Sequence, residues 1–248
     1  MSHYESFFVN PEDVRGDFLV IRGDEFRHLS KVLRKRVGDV LVAIDGRGNS
    51  YEFGVIQVGK DTVSGEIQKV LRRKNEPLTK LILGQALIKN PRFDWLLEKG
   101  TEIGVSAFLP VFTEFSMMDP DKNRLVRWRR LLMAAIKQSG RSILPEITEP
   151  VPFEEMLQKL KDVPVKILPE MEGRRSIRSV INQFIQTNRL PPREVALLIG
   201  PEGGFSPAEI QAAASAGFAL VNLGPRRLRA ETAAFVAGCQ ILTELDEL

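Results

Sequence analysis

Two stretches near the C-terminus combine residue types that could hold a small ligand and act on it. Leu197 to Phe205 reads LLIGPEGGF, and Leu223 to Ala233 reads LGPRRLRAETA. In the first, an apolar run gives way at Gly200-Pro201 to residues that turn the backbone and carry little side chain. Contacts to a ligand there would come from main-chain N–H and C=O groups. The second stretch repeats the plan: apolar Ala219 to Leu223 runs into Gly224-Pro225, and Arg226, Arg227, Arg229 and Glu231 follow where a helical pattern begins. Two such corners so near each other in sequence point to one site. A triphosphate is not its ligand by the usual spelling, because GPEGGF lacks the Lys-Ser/Thr ending of a P-loop and no G-x-G-x-x-G opens a helix.

The elements that must position these corners alternate. Leu81 to Leu83, Ala107 to Phe112, Val165 to Leu168, Val195 to Ile199 and Ala219 to Leu223 read as strands. Helical patterns fall between and after them, at Pro91 to Ile103, Asp121 to Ser139, Ile177 to Ile185, Pro207 to Ala216 and Arg229 to Leu245. This rhythm predicts an α/β domain with a largely parallel sheet covered on both faces. Ligands in such sheets bind outside the carboxyl ends of the strands, where Ile199-Gly200-Pro201 and Leu223-Gly224-Pro225 stand. Upstream the pattern differs. Phe18 to Ile21, Val40 to Ile44, Tyr51 to Val58 and Thr62 to Val70 are short alternating runs with turn residues between them, and Glu25 to Arg34 is a single helical stretch, so a small β-barrel is expected. Arg72 to Pro77 reads as a linker, which predicts one domain over residues 1–72 and a second over residues 73–248.

A chain of 248 residues with ordinary apolar and charged fractions can bury a sizeable core. Cys239 is the lone cysteine and lies in an apolar helical pattern, which excludes a disulfide framework and predicts a buried thiol in a reducing cytoplasm. His3 and His28 are the only histidines, and neither precedes a second ligand at a useful spacing, so no metal is expected. Charged residues throughout the first twenty positions and the lack of a long apolar run exclude a signal peptide and a membrane span. A net charge of +3 is only mildly basic, so any polyanionic partner must be argued from where the charges sit. They cluster at Arg34-Lys35-Arg36 and along Lys122, Arg124, Arg127, Arg129 and Arg130, with Lys137 and Arg141 beyond.

The two C-terminal blocks together resemble the paired signatures of the SPOUT class of RNA methyltransferases, in particular the ribosomal RNA small subunit methyltransferase E family, whose pattern is roughly L-I-G-P-E-G-G followed by L-G-x-R-x-L-R-x-E-T-A. Further upstream, His28, Val32-Leu33-Arg34, Gly38-Asp39 and Asp45-Gly46 are similar to that family's barrel pattern. Lys99, Glu102, Ile103, Gly104 and Val105 resemble its K-x-x-E-L-G-V helix, and Gln138 to Arg141 its Q-[SC]-x-R segment. Two positions depart: Phe115 stands where an Arg usually follows Glu114, and Lys137 where a Glu usually precedes Gln138. The resemblance implies a small PUA-like β-barrel domain followed by a SPOUT-type parallel-sheet methyltransferase domain with a trefoil knot, a topology that composition and periodicity do not reveal.

It also implies chemistry. The cofactor would be S-adenosyl-L-methionine, bound by Leu168, Leu198, Ile199, Gly200, Pro201, Glu202, Gly203, Leu223, Gly224, Leu228, Arg229, Glu231, Thr232 and Ala233, with Leu168-Pro169-Glu170 as a third wall. The acceptor would be the N3 of a uracil in 16S ribosomal RNA near the decoding centre. Arg229 would stabilise the charge that spreads to the uracil oxygens, while Glu231 would either accept the proton or hold Arg229 in place. Arg34, Lys35, Arg36, Lys122, Arg124, Arg127, Arg130 and Arg141 would hold the RNA backbone around a splayed base. A homodimer is expected, and the substrate is either naked RNA or the assembled 30S subunit. Transfer to another rRNA or tRNA position, or RNA binding without catalysis, stays open at this point.

Overall fold

The computed structural model describes residues 6–116 and 123–248, and the chain divides into two compact units. One comprises the chain up to Glu76 together with Met133–Leu144; the other comprises Pro77–Leu132 and Pro145–Leu248.

In the first unit, strands β1 (Phe7–Phe8), β2 (Val14–Arg15), β3 (Phe18–Arg22), β4 (Val40–Ile44), β5 (Asn49–Val58) and β6 (Thr62–Arg72) form one sheet in the order β1-β4-β5-β6-β3-β2. All pairings are antiparallel except β1 with β4. Alternate residues Leu19 and Ile21 of β3, Phe53 and Val55 of β5 and Val63 of β6 are buried in one apolar cluster, the two-residue period of a sheet with one covered face. Gly65 has no alternative there, because a Cβ on it would sit 2.1 Å from the Phe53 ring. The helical stretch expected from Glu25 to Arg34 is a five-residue helix α1 (Gly23–Arg27) continued by a wider π-helical turn at His28–Val32.

Residues 72–77, which read as a linker, are anchored. The Glu76 carboxylate accepts from Arg141 Nη2 at 2.7 Å and from the backbone N–H groups of Ser142 and Ile143 at 2.8 Å each, with both ion-pair side chains 3% exposed. A full carboxylate buried here is held by two amides and a guanidinium, which a polar composition cannot announce.

The second unit holds β7 (Lys80–Ala86), α2 (Asn90–Ile103), β8 (Ala107–Phe112), most of α3 (Arg124–Ser139), β9 (Glu146–Ile147), β10 (Val151–Pro152), α4 (Phe153–Lys159), β11 (Val165–Pro169), α5 (Ile177–Asn188), β12 (Glu194–Ile199), α6 (Pro207–Ser215), β13 (Ala219–Val221) and α7 (Ala230–Glu244). Its sheet is parallel throughout, in the order β10-β8-β7-β12-β11-β13, with β9 also on β8. Ala196 and Leu198 of β12 join Phe153, Met156 and Leu157 of α4 and Ala213 of α6 in one core. Strand alternation turns Val195, Leu197 and Ile199 to the other face, and α7 packs against β12, β7, α2 and α5. The strands β9 and β10 and the helix α4 carry no distinctive spelling and were not expected. No helix among the described residues is long and apolar enough to cross a membrane.

Candidate active site

The two glycine-rich corners follow β12 and β13, and β11 lies between those strands in the sheet. The loop after β11 therefore has to form the wall between them. These three loops enclose a cleft of about 460 Å³.

Each wall is shaped by its backbone. In the first, Gly204 N–H donates to Pro201 O at 3.0 Å to close a tight turn, with Gly204 at φ +76. The corner then runs into α6, whose N-cap Ser206 accepts from Glu209 N while Glu209 reaches back to Ser206 N at 2.9 Å, a reciprocal capping box. In the second, Gly224 adopts φ +117, a conformation that L side chains rarely take. In the third, Glu170 N–H donates to Val221 O at 2.8 Å, and Gly173 lies so close to β13 that a Cβ on it would be 2.5 Å from the Val221 carbonyl carbon.

Of the residues expected to touch a cofactor, Ile199, Gly200, Pro201, Glu202, Gly203, Leu223, Gly224, Leu228, Arg229 and Ala233 line the cleft. Leu168, Leu198, Glu231 and Thr232 do not. Leu168 and Leu198 are 0% exposed and belong to the core beneath α4 and α6, because alternation along β11 and β12 turns them into the sheet's apolar face. Pro169 and Glu170 do form part of the third wall, and Met171 and Ile210 complete the lining without any motif to announce them.

Glu231 sits in the first turn of α7, and its carboxylate pairs with Arg92 Nε of α2 at 3.7 Å. The same guanidinium donates from Nη1 to Glu202 Oε1 at 3.0 Å. Arg92 thus bridges the first corner and the start of α7, and Glu231 Oε2 is buried without a hydrogen-bond partner among the described residues. Arg229 is the N-cap residue of α7 and is exposed on the cleft, as are Arg226 and Arg227. Lys99 and Glu102, in the helix that resembled K-x-x-E-L-G-V, pair with each other at 2.8 Å, and the carboxylates of Glu102 and then Glu98 push the Lys99 ammonium up to about 12. Cys239 is partly exposed on α7 rather than buried, and partial burial pushes its thiol up from the ordinary range.

The basic clusters separate. Arg34 and Arg36 are exposed, with Arg34 at φ +52 and Arg36 N–H fixed to Asp39 Oδ2 at 2.9 Å, while Lys35 is half-buried. On α3, Arg129 and Arg130 are exposed, Arg124 is half-buried, and Arg127 is held by Asp94 at 3.4 Å. Lys122 lies outside the described residues. Arg141 is corrected: at 2% exposed and engaged with Glu76, it is part of the first unit's interior and not a surface for phosphate.

The RNA methyltransferase domain family matches residues 74–242, and the RNA methyltransferase PUA domain family matches residues 21–68. The ribosomal RNA small subunit methyltransferase E of Mycobacterium tuberculosis is 32% identical over 93% of this chain and 88% of its own length. The chain belongs to the ribosomal RNA small subunit methyltransferase E family. The Bacillus subtilis member is 30% identical over 88% of this chain and 86% of its own. A crystal structure of the Neisseria gonorrhoeae methyltransferase E bound to S-adenosyl methionine superposes with a TM-score of 0.84 at 29% identity, covering 97% of this chain and 98% of that one. The methyltransferase match contains all three walls of the cleft, and the PUA match contains Arg34, Lys35 and Arg36.

Proposed function

We propose that this protein transfers a methyl group from S-adenosyl-L-methionine to N3 of a uridine in 16S ribosomal RNA. The observation that carries this reading is the cleft at the carboxyl ends of β12, β11 and β13, inside a matched RNA methyltransferase domain and open to Arg226, Arg227 and Arg229. Its volume of about 460 Å³ suits a cofactor of that size, and its walls offer backbone polar groups at both corners beside the apolar side chains of Leu223, Leu228, Met171 and Ile210. The residues present fit the group, with Leu168 and Leu198 acting from beneath as support. The solved methyltransferases in complex with S-adenosyl methionine, from Neisseria gonorrhoeae and Legionella pneumophila, support the same cofactor.

When bound, S-adenosylmethionine supplies a methyl on a sulfonium for in-line displacement. The chain's part is alignment and charge. Backbone groups of Ile199 to Gly203 and Leu223 to Leu228 hold the cofactor and exclude water, which supplies much of the rate in a displacement of this kind. The uracil N3 must lose a proton, and Arg229, at the mouth of the cleft, stabilises the charge that then spreads over the base. Glu231 has two possible parts, proton acceptor or partner of a cation. Its pairing with Arg92 favours the second, and makes Arg92 rather than Arg229 the cation it holds.

The RNA is held by Arg34, Lys35 and Arg36 of a PUA-like domain over residues 1–72 and by α3 of the methyltransferase domain over residues 73–248. The same reading includes a trefoil knot in which α7 passes through an earlier loop. It includes a cytoplasmic location and a homodimer, the dimer supported by the exposed Trp95 of α2, which meets Phe235 of α7 at 6.0 Å between ring centroids.

The test is to incubate the protein and labelled S-adenosylmethionine with 30S subunits, and separately with naked 16S RNA, from a strain lacking this gene, and to identify the methylated nucleoside. 3-Methyluridine at one position is expected. Cofactor binding with label at a different base or in tRNA would overturn the substrate, and no cofactor binding would overturn the enzyme.

A further inference from the structure

We infer that Phe115 is a stacking platform for a nucleobase of the substrate RNA that neighbours the methylated one. The inference rests on the RNA methyltransferase reading above and extends it to how the RNA is gripped.

Beyond the end of β8 the chain makes a tight turn. Ser116 N–H donates to Thr113 O at 3.1 Å, Ser116 Oγ accepts from Thr113 N at 2.9 Å, and the two hydroxyls lie 2.7 Å apart. Glu114 N–H donates to Glu209 Oε1 at 2.9 Å. Glu209 is the capping-box residue of α6, so the turn is fastened to the segment that terminates the first glycine-rich corner. Turn positions favour Gly, Pro, Asn, Asp and Ser, each for a backbone reason. Here the third residue of a turn closed by these hydrogen bonds is a phenylalanine left 47% exposed.

Its inner edge lies over the corner: a Cβ built on Gly203 would be 3.1 Å from Phe115 Cβ and 3.4 Å from its Cγ. Gly203 lines the cleft and Phe115 does not. An exposed aromatic ring is therefore placed by a hydrogen-bonded turn beside Gly203, on the outer side of the cofactor loop whose cleft Arg226, Arg227 and Arg229 also line. Cations that take phosphates, together with an exposed aromatic face, are the combination by which proteins hold single-stranded RNA. Splaying one base into the cleft unstacks its neighbour, and the neighbour needs a new face. Because Phe115 lies outside the cleft, the base it takes is the neighbour and not the target.

The experiment compares Phe115→Ala, Phe115→Leu and Phe115→Trp with the unaltered protein. For each, the Kd for S-adenosylmethionine, the Kd for 30S subunits and naked 16S RNA lacking the modification, and kcat and KM for methylation are measured. Phe115→Ala and Phe115→Leu should raise the RNA Kd and KM roughly five- to a hundredfold, the range found for removing one base–aromatic stack. Cofactor Kd should stay within twofold, and Phe115→Trp should bind RNA as well as the unaltered protein. Leucine keeps apolar bulk and loses the π face. If Phe115→Leu binds RNA normally, or if cofactor affinity falls in step with RNA affinity, Phe115 only supports the loop and the inference is overturned. An unaltered protein that binds RNA, with the expected order of variants, yet methylates no uridine would overturn the proposed reaction while leaving the platform in place.

Discussion

Asn222 Nδ2 donates to the Met171 carbonyl at 2.6 Å, across two walls of the cleft. Its Oδ1 accepts from Gly224 N–H at 2.7 Å, and its own N–H donates to Arg175 O at 2.9 Å. One side chain that does not itself line the cleft thus sets the distance between the loop after β11 and the corner after β13. Asn222→Ala removes two hydrogen bonds worth about 1 kcal/mol each. We expect roughly tenfold weaker S-adenosylmethionine binding by calorimetry with the fold intact. Affinity equal to that of the unaltered protein would mean the walls hold without this link.

Arg229→Ala should reduce turnover on the order of a hundredfold to a thousandfold while cofactor affinity changes little, because charge stabilisation grows toward the transition state. Glu231→Gln keeps the shape and removes the charge. If Glu231 accepts the proton, the variant's rate should climb as pH rises and uracil ionises without help. The pairing with Arg92 predicts the other outcome, a modest defect that stays flat with pH, and Arg92→Gln, which also loses Glu202, should give a pH-flat defect at least as large. The Arg92–Glu231 contact is long, at 3.7 Å, and a partly exposed pair of this kind contributes about 0.2–1 kcal/mol, so the Glu231→Gln defect should be less than about fivefold.

Arg129→Glu combined with Arg130→Glu should flatten the salt dependence of RNA binding, since each lost phosphate contact lowers the log–log slope by roughly 0.7 to 0.9. Arg141 should behave differently. Its loss strands the Glu76 carboxylate in the interior, where removing one partner of a buried pair costs about 3 kcal/mol or more. Urea unfolding of Arg141→Ala should show that loss. An altered salt slope with unchanged stability would return Arg141 to the RNA surface.

Tyr51 in the first unit should ionise above the ordinary phenol range. Burial is the larger cause and the Asp45 carboxylate, which accepts from its hydroxyl at 3.2 Å, adds to it. A raised folded-state value favours the neutral phenol. The stability it contributes is complete below the unfolded value and is lost as pH rises through the folded one. A phenolate titration in a Tyr4→Phe background, which leaves Tyr51 as the only tyrosine, should give a midpoint above that of a free phenol. A midpoint at the free value would show that neither the burial nor the Asp45 contact persists in solution.

Sequence alone determined the alternation of strands and helices in the second unit, since hydrophobic period is a local property and the Gly-Pro breaks mark strand ends. It also located both corners and Arg229, because close backbone approach and positive φ demand glycine at positions such as Gly204 and Gly224. The family was legible for the same reason: its signatures are these corners. Sheet order was decided only in three dimensions. That β11 lies between β12 and β13 brings Met171 into the cleft, and no spacing along the chain encodes it. Strand alternation relative to the covered face turned Leu168 and Leu198 inward although they adjoin the motifs. Arg92 and Glu76 found their partners across long separations in sequence, Arg92 with Glu202 and Glu76 with Arg141. A charge carries no mark in sequence of whether it will meet solvent, RNA or an opposite charge; packing decides that, by what it leaves within a few ångströms.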